Sequence, residues 1–132
     1  EDYVVFATPN AGVCLVRGLS ENFENDRYGD RVRGRFNELK SLLDEKYGSG
    51  ELHDRLRSGA LWDDVDEWVM AIRENERFYQ AQWEVDSPNG IEDIIMAVKA
   101  MSPNTSFISL QYRFTNMKEC EGEAQEADAG GL

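Results

Sequence analysis

The spacing of apolar residues limits the fold of this chain more than any other feature of its sequence. Within Asp30–Tyr47, apolar side chains recur at intervals of four, three and four residues, at Val32, Phe36, Leu39 and Leu43. That spacing predicts an amphipathic helix that ends at Gly48. In residues 77–85 and 107–114, apolar and polar residues alternate, which is typical of strands with one covered face.

Three further segments are predicted from the same kind of pattern. Residues 3–8 and 13–16 are β-prone runs separated by turn residues, so they predict a hairpin or one bent strand. Residues 52–57 predict one or two helical turns. A second amphipathic helix is predicted from the apolar stripe of Leu61, Val65, Trp68 and Ile72, with this stripe in the core.

A third helix is predicted between the two alternating segments. Its apolar positions are Ile91, Ile94, Ile95, Val98 and Met101, and Asn89 is a suitable N-cap with Glu92 three residues later. The result is a strand–helix–strand unit, which needs a crossover connection. The two strands are parallel if they are neighbours, and a split arrangement with another strand between them fits equally well.

The C-terminal residues differ in composition from the rest of the chain. Residues 1–117 are predicted to form a single globular domain. In residues 118–132, acidic residues alternate with Cys120, Gly122 and Ala124 before a run of Ala, Gly and further acidic residues. This composition predicts an acidic tail or an edge strand with its charges outward.

The segment from Gln80 to Phe114 resembles a known family. The run Ala81-Gln82-Trp83-Glu84-Val85-Asp86-Ser87-Pro88, an apolar helix, Ser102-Pro103 and the strand at residues 107–112 are similar to the C-terminal part of YubB-type ferredoxin-like domains. Plasmids and phages carry these domains. The resemblance covers about a quarter of the chain, and the N-terminal half lacks the Trp-Cys-x-Asn opening of the family. It implies a fold and a mobile-element origin, but no activity.

These patterns together predict an α+β protein. We expect a mainly antiparallel sheet with helices packed on one face, and a ferredoxin-like C-terminal half. The 41% hydrophobic content is too high for a disordered acidic chain, which lacks the apolar surface to offset chain entropy.

The net charge of the chain is −12, from 26 acidic and 14 basic residues. Such a surface repels nucleic acid and anionic lipid unless its cations are gathered into one patch, so nucleic acid is an unlikely partner by charge. No apolar stretch approaches the roughly 20 residues that a membrane span needs. Two cysteines do not form a disulfide framework, so Cys14 is predicted to be a buried thiol and the protein to be cytoplasmic.

Common catalytic and cofactor motifs are missing from the sequence. His53 is the single histidine, so any Ser-His or Cys-His arrangement requires it, and an exposed imidazole is the simpler interpretation. The cysteines and the histidine lack zinc-ligand spacing, and no phosphate-binding or dinucleotide-binding loop is present. We therefore expect no enzyme activity, no cofactor and no metal site.

Two charged clusters are candidate binding sites. The first is acidic and consists of Asp63, Asp64, Asp66 and Glu67, with Glu119, Glu121 and Glu123 as a second acidic patch. Asp63 and Glu67 are one helical turn apart and suit a shared divalent cation, although a solvated helix face explains them more simply. The second cluster is basic and consists of Arg27, Arg31, Arg33 and Arg35. It suits a phosphate or a carboxylate near a helix N-terminus, and salt bridges to the chain's own acids explain it more simply.

The function that these features favour is that of a non-catalytic acidic interaction protein. It docks on a basic protein partner, such as a nucleic-acid-binding protein, and comes from a mobile element. One alternative is a small nucleic-acid or phosphate-binding domain that uses the Arg27–Arg35 cluster, with Phe78, Phe107 and Arg113 on an exposed sheet face. Others are an enzyme that uses carboxylates alone, or a globular domain whose sequence reveals no role.

Overall fold

In the computed structural model, which describes residues 2–85 and 90–130, six strands form one sheet and three helices accompany it. The elements in chain order are β1 (Asp2–Thr8), β2 (Gly12–Leu19), α1 (Asp30–Tyr47), β3 (Glu51–Leu56), α2 (Trp68–Arg73), β4 (Arg77–Glu84), β5 (Ile91–Ser102), β6 (Thr105–Phe114) and α3 (Met117–Gly130). A short 3₁₀ turn, Val65–Glu67, leads directly into α2.

Every neighbouring pair of strands in the sheet is antiparallel, in the order β1-β2-β6-β5-β4-β3. The last three strands of the chain therefore form a meander, and the N-terminal β1–β2 hairpin joins it along β6. Strands β1 and β3 are the two edges. The predicted α+β class with an antiparallel sheet is confirmed, and so is the predicted N-terminal hairpin.

The main core lies between the sheet and the helices α1 and α2. Side chains at alternate positions of β4, β5 and β6 enter it, and Val32 and Phe36 of α1 are fully buried against them. The Tyr79 ring lies edge-on to Phe36, with 4.8 Å between ring centroids, and edge-on to Trp68 at 5.6 Å. The apolar stripe that predicted α1 is therefore the stripe that packs on the sheet.

The helix predicted at residues 91–101 is wrong, because these residues form the strand β5. Ile94, Met96 and Val98 face the core, whereas Ile95 and Ala97 lie on the other face of the sheet. A strand that is largely covered on both faces has a nearly continuous apolar run, which also satisfies helical spacing. Pairing with β4 and β6 settles the ambiguity, so neighbouring antiparallel strands replace the predicted strand–helix–strand unit. The predicted cap at Asn89 lies outside the described residues.

Two other predicted helical segments also differ from the structure. Residues 52–57, predicted as helical turns, belong largely to the edge strand β3, which pairs with β4. The second amphipathic helix begins later than its apolar stripe indicates. Trp68 and Ile72 of that stripe are buried as predicted, but Leu61 and Val65 are 79% and 78% exposed.

The C-terminal segment is a helix rather than a tail or an edge strand. Helix α3 contacts the β1–β2 hairpin, and the Asn116 side chain just before it donates hydrogen bonds to the carbonyl oxygens of Ala11 and Val13. Met, Lys, Glu, Ala and Gln dominate this segment, and all of them favour helix. No helix in the described ranges is both long and apolar enough to cross a membrane.

The prediction of a buried thiol at Cys14 is wrong, because Cys14 forms a disulfide with Cys120 of α3. Their Cα atoms are 6.4 Å apart, and the two residues are separated by 106 positions in the sequence. The bond links α3 to β2. The low cysteine count therefore no longer favours a reducing compartment, and the cytoplasmic location stays a prediction.

Candidate functional site

The acidic cluster predicted from the sequence lies in the connection between β3 and α2, which we call the acidic loop (residues 61–67). Its two ends are held by hydrogen bonds. The backbone amides of Leu61 and Trp62 donate to Glu76 Oε1 at 2.9 and 3.0 Å. The amide of Asp64 donates to Glu67 Oε1 at 3.3 Å as part of a capping box. The loop is thus a fixed surface feature.

The carboxylates of the acidic loop are close together and lack cationic partners. Oxygen atoms of Asp63, Asp64 and Glu67 all lie within 4.8 Å of one another. Among the residues that the structure describes, no Lys, Arg or His forms an ion pair with these three or with Asp66. Two like charges at about 4 Å repel by about 1 to 4 kcal/mol between bulk water and a protein surface. A cation brought to this loop would relieve that repulsion.

The acidic loop also holds two exposed apolar side chains, Val65 between Asp64 and Asp66 and Leu61 two residues before Asp63. Leu61 and Val65 are the most exposed of the large hydrophobic residues in the described part of the chain, at 79% and 78%. Sequence periodicity predicted both as core, and that prediction is wrong because the capping box at Asp64 makes Val65 the first residue of the helical segment, ahead of the turn that packs. The spacing Asp64-x-x-Glu67 was the signal for this late start.

The second predicted acidic patch is spread around α3. Residues two apart on a helix do not face each other, so Glu121 points away from Glu119 and Glu123. Both carboxylate oxygens of Glu123 accept the backbone amide of Asn10, at 2.8 and 3.2 Å. The Thr8 hydroxyl and the amides of Asn10 and Ala11 lower the pKa of Glu123. This carboxylate therefore links α3 to the β1–β2 turn.

Three of the four arginines of the predicted cluster are engaged within the protein. Arg31 donates to the carbonyl of Glu24 and lies 3.9 Å from Asp26. Arg33 donates to the carbonyl oxygens of Tyr28 and Gly29, and its guanidinium stacks 4.5 Å from the Trp68 ring centre. Arg35 pairs with Glu38 at 3.1 Å, and Arg27 is exposed.

The amides at the start of α1 are occupied as well. The carboxylate of Asp26, only 6% exposed, accepts the amides of Arg31 at 3.2 Å and Val32 at 3.0 Å. An internal carboxylate therefore stands at the helix N-terminus, where a bound anion would have to stand. The simpler interpretation of the arginine cluster, salt bridges to the chain's own acids, agrees with these contacts.

A different cationic set lies on the sheet face opposite α1 and α2. Arg55 of β3 is directly opposite Phe78 of β4, and Lys99 of β5 is directly opposite Phe107 of β6. The register that pairs Gln80 with Ala97 also places Phe78 beside Lys99, and these two side chains line one depression. With Arg57, which follows β3, these residues form what we call the cation–aromatic row.

The two arginines of this row lie close to an aromatic ring. The guanidinium carbons of Arg55 and Arg57 lie 5.6 and 6.0 Å from the Phe78 ring centre. Neither arginine, nor Lys99, has an ion-pair partner within the described ranges 2–85 and 90–130. Both phenyl rings are half-buried. Sequence reasoning missed this row because it had assigned residues 52–57 and 91–101 to helices.

Arg113 and Asp93 lie on the same face, toward the other end of the strands. Arg113, predicted as a partner of Phe78 and Phe107, instead makes a two-pronged hydrogen-bonded pair with Asp93. The Asp93 hydrogen bond raises the pKa of Arg113, although partial burial opposes it. Arg113 lies six residues from Phe107 along β6, or about 20 Å. The pair is therefore separate from the cation–aromatic row.

His53, which any Ser-His or Cys-His arrangement would require, lies at the surface. It is exposed on β3, with its Nε2 atom 3.9 Å from Glu51. The carboxylate of Asp44 is a structural acceptor, because it receives hydrogen bonds from Gly50 N at 2.8 Å, Trp83 Nε1 at 3.0 Å and Lys40 Nζ at 2.9 Å. Partial burial raises the pKa of Asp44, but these hydrogen bonds outweigh it and leave the pKa below its usual value.

Comparison of the chain with protein-family models, curated proteins and solved structures gives no match. The resemblance to YubB-type domains stays a prediction. One part of its pattern, the helix after the Trp-containing strand, is the strand β5 in this protein.

Proposed function

We propose that this protein is a non-catalytic interaction domain that docks on a basic protein partner through the acidic loop. One observation carries the proposal. Leu61 and Val65 are exposed in the same loop as four carboxylates that have no ion-pair partner among the described residues. Apolar anchors inside a charged rim are typical of binding sites on proteins.

The two parts of this surface have different energetic roles. Burying an exposed Leu or Val side chain completely is worth about 1.5 to 3 kcal/mol, so the two anchors supply affinity. The carboxylates mainly accelerate encounter with a positively charged surface and exclude acidic partners. The partner should therefore present a shallow apolar pocket surrounded by Lys or Arg. Nucleic-acid-binding proteins, including those encoded on plasmids and phages, offer such surfaces.

The loop is already ordered before any partner arrives. The hydrogen bonds of Leu61, Trp62 and Asp64 to Glu76 and Glu67 hold the backbone on both sides of the anchors. Binding therefore costs little additional backbone entropy, which favours affinity from a small surface.

The test is a capture experiment with paired variants. Tagged protein is incubated with nuclease-treated lysate of its source cell and washed over a salt series. We expect one basic protein in stoichiometric amount. The charge variant carries Asp63→Asn, Asp64→Asn, Asp66→Asn and Glu67→Gln, which keep the capping hydrogen bonds, and the apolar variant carries Leu61→Ser and Val65→Ser. Both should lose the captured protein.

Matched controls separate this loop from exposed residues in general. Leu42→Ser removes another exposed apolar residue, 60% exposed on α1, and Glu119→Gln with Glu121→Gln removes charge from α3. Both control proteins should retain the partner. The proposal is rejected if every variant captures the same proteins as the wild type, or if the controls lose the partner as completely as the loop variants do.

A further inference from the structure

We propose that the cation–aromatic row is a binding site for single-stranded nucleic acid. This inference is independent of the proposed docking function, because it uses other residues. The row extends across four strands, and in it Arg55, Phe78, Lys99 and Phe107 alternate cation and ring. That order matches the alternation of phosphates and bases in a nucleic acid strand.

The geometry suits an extended strand that crosses the sheet. Phe78 and Phe107 lie on strands separated only by β5, so their positions in the sheet are about 10 Å apart. Lys99 lies between the two rings, where it can contact a phosphate that joins two stacked nucleotides. Arg55 and Arg57 lie at the Phe78 end, and guanidinium planes also stack on bases.

The polar residues around the row fit the same ligand. Gln80 of β4 and Ser109 of β6 face the same side as Phe78 and Phe107, two residues farther along each strand. Their side chains offer hydrogen-bond donors and acceptors for base edges. A protein partner with an acidic surface is the main competitor for three cations, but it does not require two half-buried rings between them.

The net charge of −12 does not prevent this binding, because the charges are separated in space. On this sheet face Glu51, Glu84 and Asp93 lie away from the row along their strands, with Glu51 four residues from Arg55, and Asp93 is paired with Arg113. At about 0.1 M salt the Debye length is about 10 Å, so distant carboxylates are largely screened from a ligand on the row. Arg31, Arg33 and Arg35 at the start of α1 take no part, because their guanidinium groups are engaged.

The experiment measures fluorescence anisotropy of a labelled 12-nucleotide oligo(dT) with the full chain, over a salt series. We expect salt-dependent binding, with a slope of log affinity against log salt near −2, since each of three phosphate contacts contributes about 0.7. Phe78→Leu and Phe107→Leu should each weaken binding about 5- to 150-fold by loss of stacking. Lys99→Gln and Arg55→Gln should each reduce the slope by about 0.7.

A matched pair on the other side of the molecule is the control. Lys46 lies 5.4 Å from the ring centre of its neighbour Tyr47 on α1, so Lys46→Gln removes a cation that also contacts an aromatic ring. It should leave the affinity and the slope unchanged, as should Arg31→Gln and Arg35→Gln. Circular dichroism of each variant verifies folding, and the Lys99 and Arg55 variants are surface changes that keep the test valid if a Phe variant unfolds.

Several outcomes would overturn the inference. Absence of oligonucleotide binding at low salt is one. Binding that Lys46→Gln weakens as much as Lys99→Gln does is another, since the row would then have no special role. A third is sedimentation showing that the row variants change only self-association, in which case the row would be a contact between copies of the chain.

Discussion

Two sets of three cations in this protein are alike in composition but differ in their contacts with acidic and carbonyl groups. Arg31, Arg33 and Arg35 begin α1 and are bound to carboxylates, carbonyl groups and the Trp68 ring. Arg55, Arg57 and Lys99 lie on the sheet face without an acidic neighbour in ion-pair contact among the described residues. The first set is clustered in the sequence, so it was predicted as a candidate binding site. The second set exists only because strand register places residues 44 positions apart in one row.

The comparison shows that a charge count says little about which charges are available. In an acidic protein, an arginine is surrounded by potential partners, so most cations become structural. A cation that stays free must sit where no carboxylate can reach it. Here the sheet achieves this by placing rings and amides on either side of the cations.

The largest expected effect on stability comes from Gly29, which precedes α1 and packs under the first set of cations. Gly29 has φ of +74°, and a Cβ atom there would overlap Cε3 of Trp68, on which Arg33 stacks. Gly29→Ala combines backbone strain with overpacking, so we expect a loss of about 3 kcal/mol or more in the free energy of unfolding. Urea denaturation measures it.

Gly34→Ala is the internal control for that substitution. A Cβ atom at Gly34 has no neighbour within 4 Å, and the residue lies inside α1. Alanine should stabilise the helix there by about 1 kcal/mol. Equal effects of the two substitutions would contradict the close packing of Gly29 on Trp68.

The next largest expected effect is the pH dependence of folding stability that Asp44 of α1 contributes. Asp44 has a lowered pKa, so its ionised form stabilises the folded state. That contribution is present above the unfolded pKa of about 3.9 and is lost as pH falls through the lower folded pKa. Asp44→Ala should cost about 2 kcal/mol at pH 7 because the amide of Gly50 and the indole of Trp83 lose their acceptor.

A denaturation series from pH 7 to pH 2 measures this effect. The difference between wild type and Asp44→Ala should shrink in the acidic range. If the difference is constant over the whole series, the Asp44 carboxylate does not titrate as described.

The smallest effect compares one arginine from each set directly. Arg33→Met should lower stability by about 1 kcal/mol, because two carbonyl groups lose a donor and Trp68 loses the nearer cation, while Arg77 stays at 5.9 Å. Arg55→Met should change stability by less than about 0.5 kcal/mol. Thermal or urea melts of both variants suffice. A larger loss for Arg55 than for Arg33 would reverse the comparison.

The elements predicted best from the sequence were those whose pattern had one physical solution. The spacing of Val32, Phe36, Leu39 and Leu43 with Gly48 behind it gave the bounds of α1, and strict alternation gave β4 and β6. Strand β5 was missed because apolar residues on both faces fit helix and strand alike, and only its neighbours decide between them.

The candidate surfaces also divide into features that local sequence determines and features that depend on neighbouring elements. The carboxylates of residues 63–67 could be found by counting, but the exposure of Leu61 and Val65 depends on where the helical segment begins. The rings Phe78 and Phe107 of the cation–aromatic row were predicted on an exposed sheet face, but the cations beside them could not be predicted without the register of β3, β4, β5 and β6. The disulfide was missed because it joins residues that are 106 positions apart.

The edge strand β3 also affects how copies of this protein behave toward one another. Its six residues include Glu51, His53, Asp54 and Arg55, and no strand of the described residues lies on the outer side of its backbone. An uncovered strand edge invites intermolecular β-pairing, and mixed charges along it oppose that pairing by leaving ions without solvent. Neutral replacements collected along β3 should therefore lead to aggregation at high concentration before they lead to unfolding.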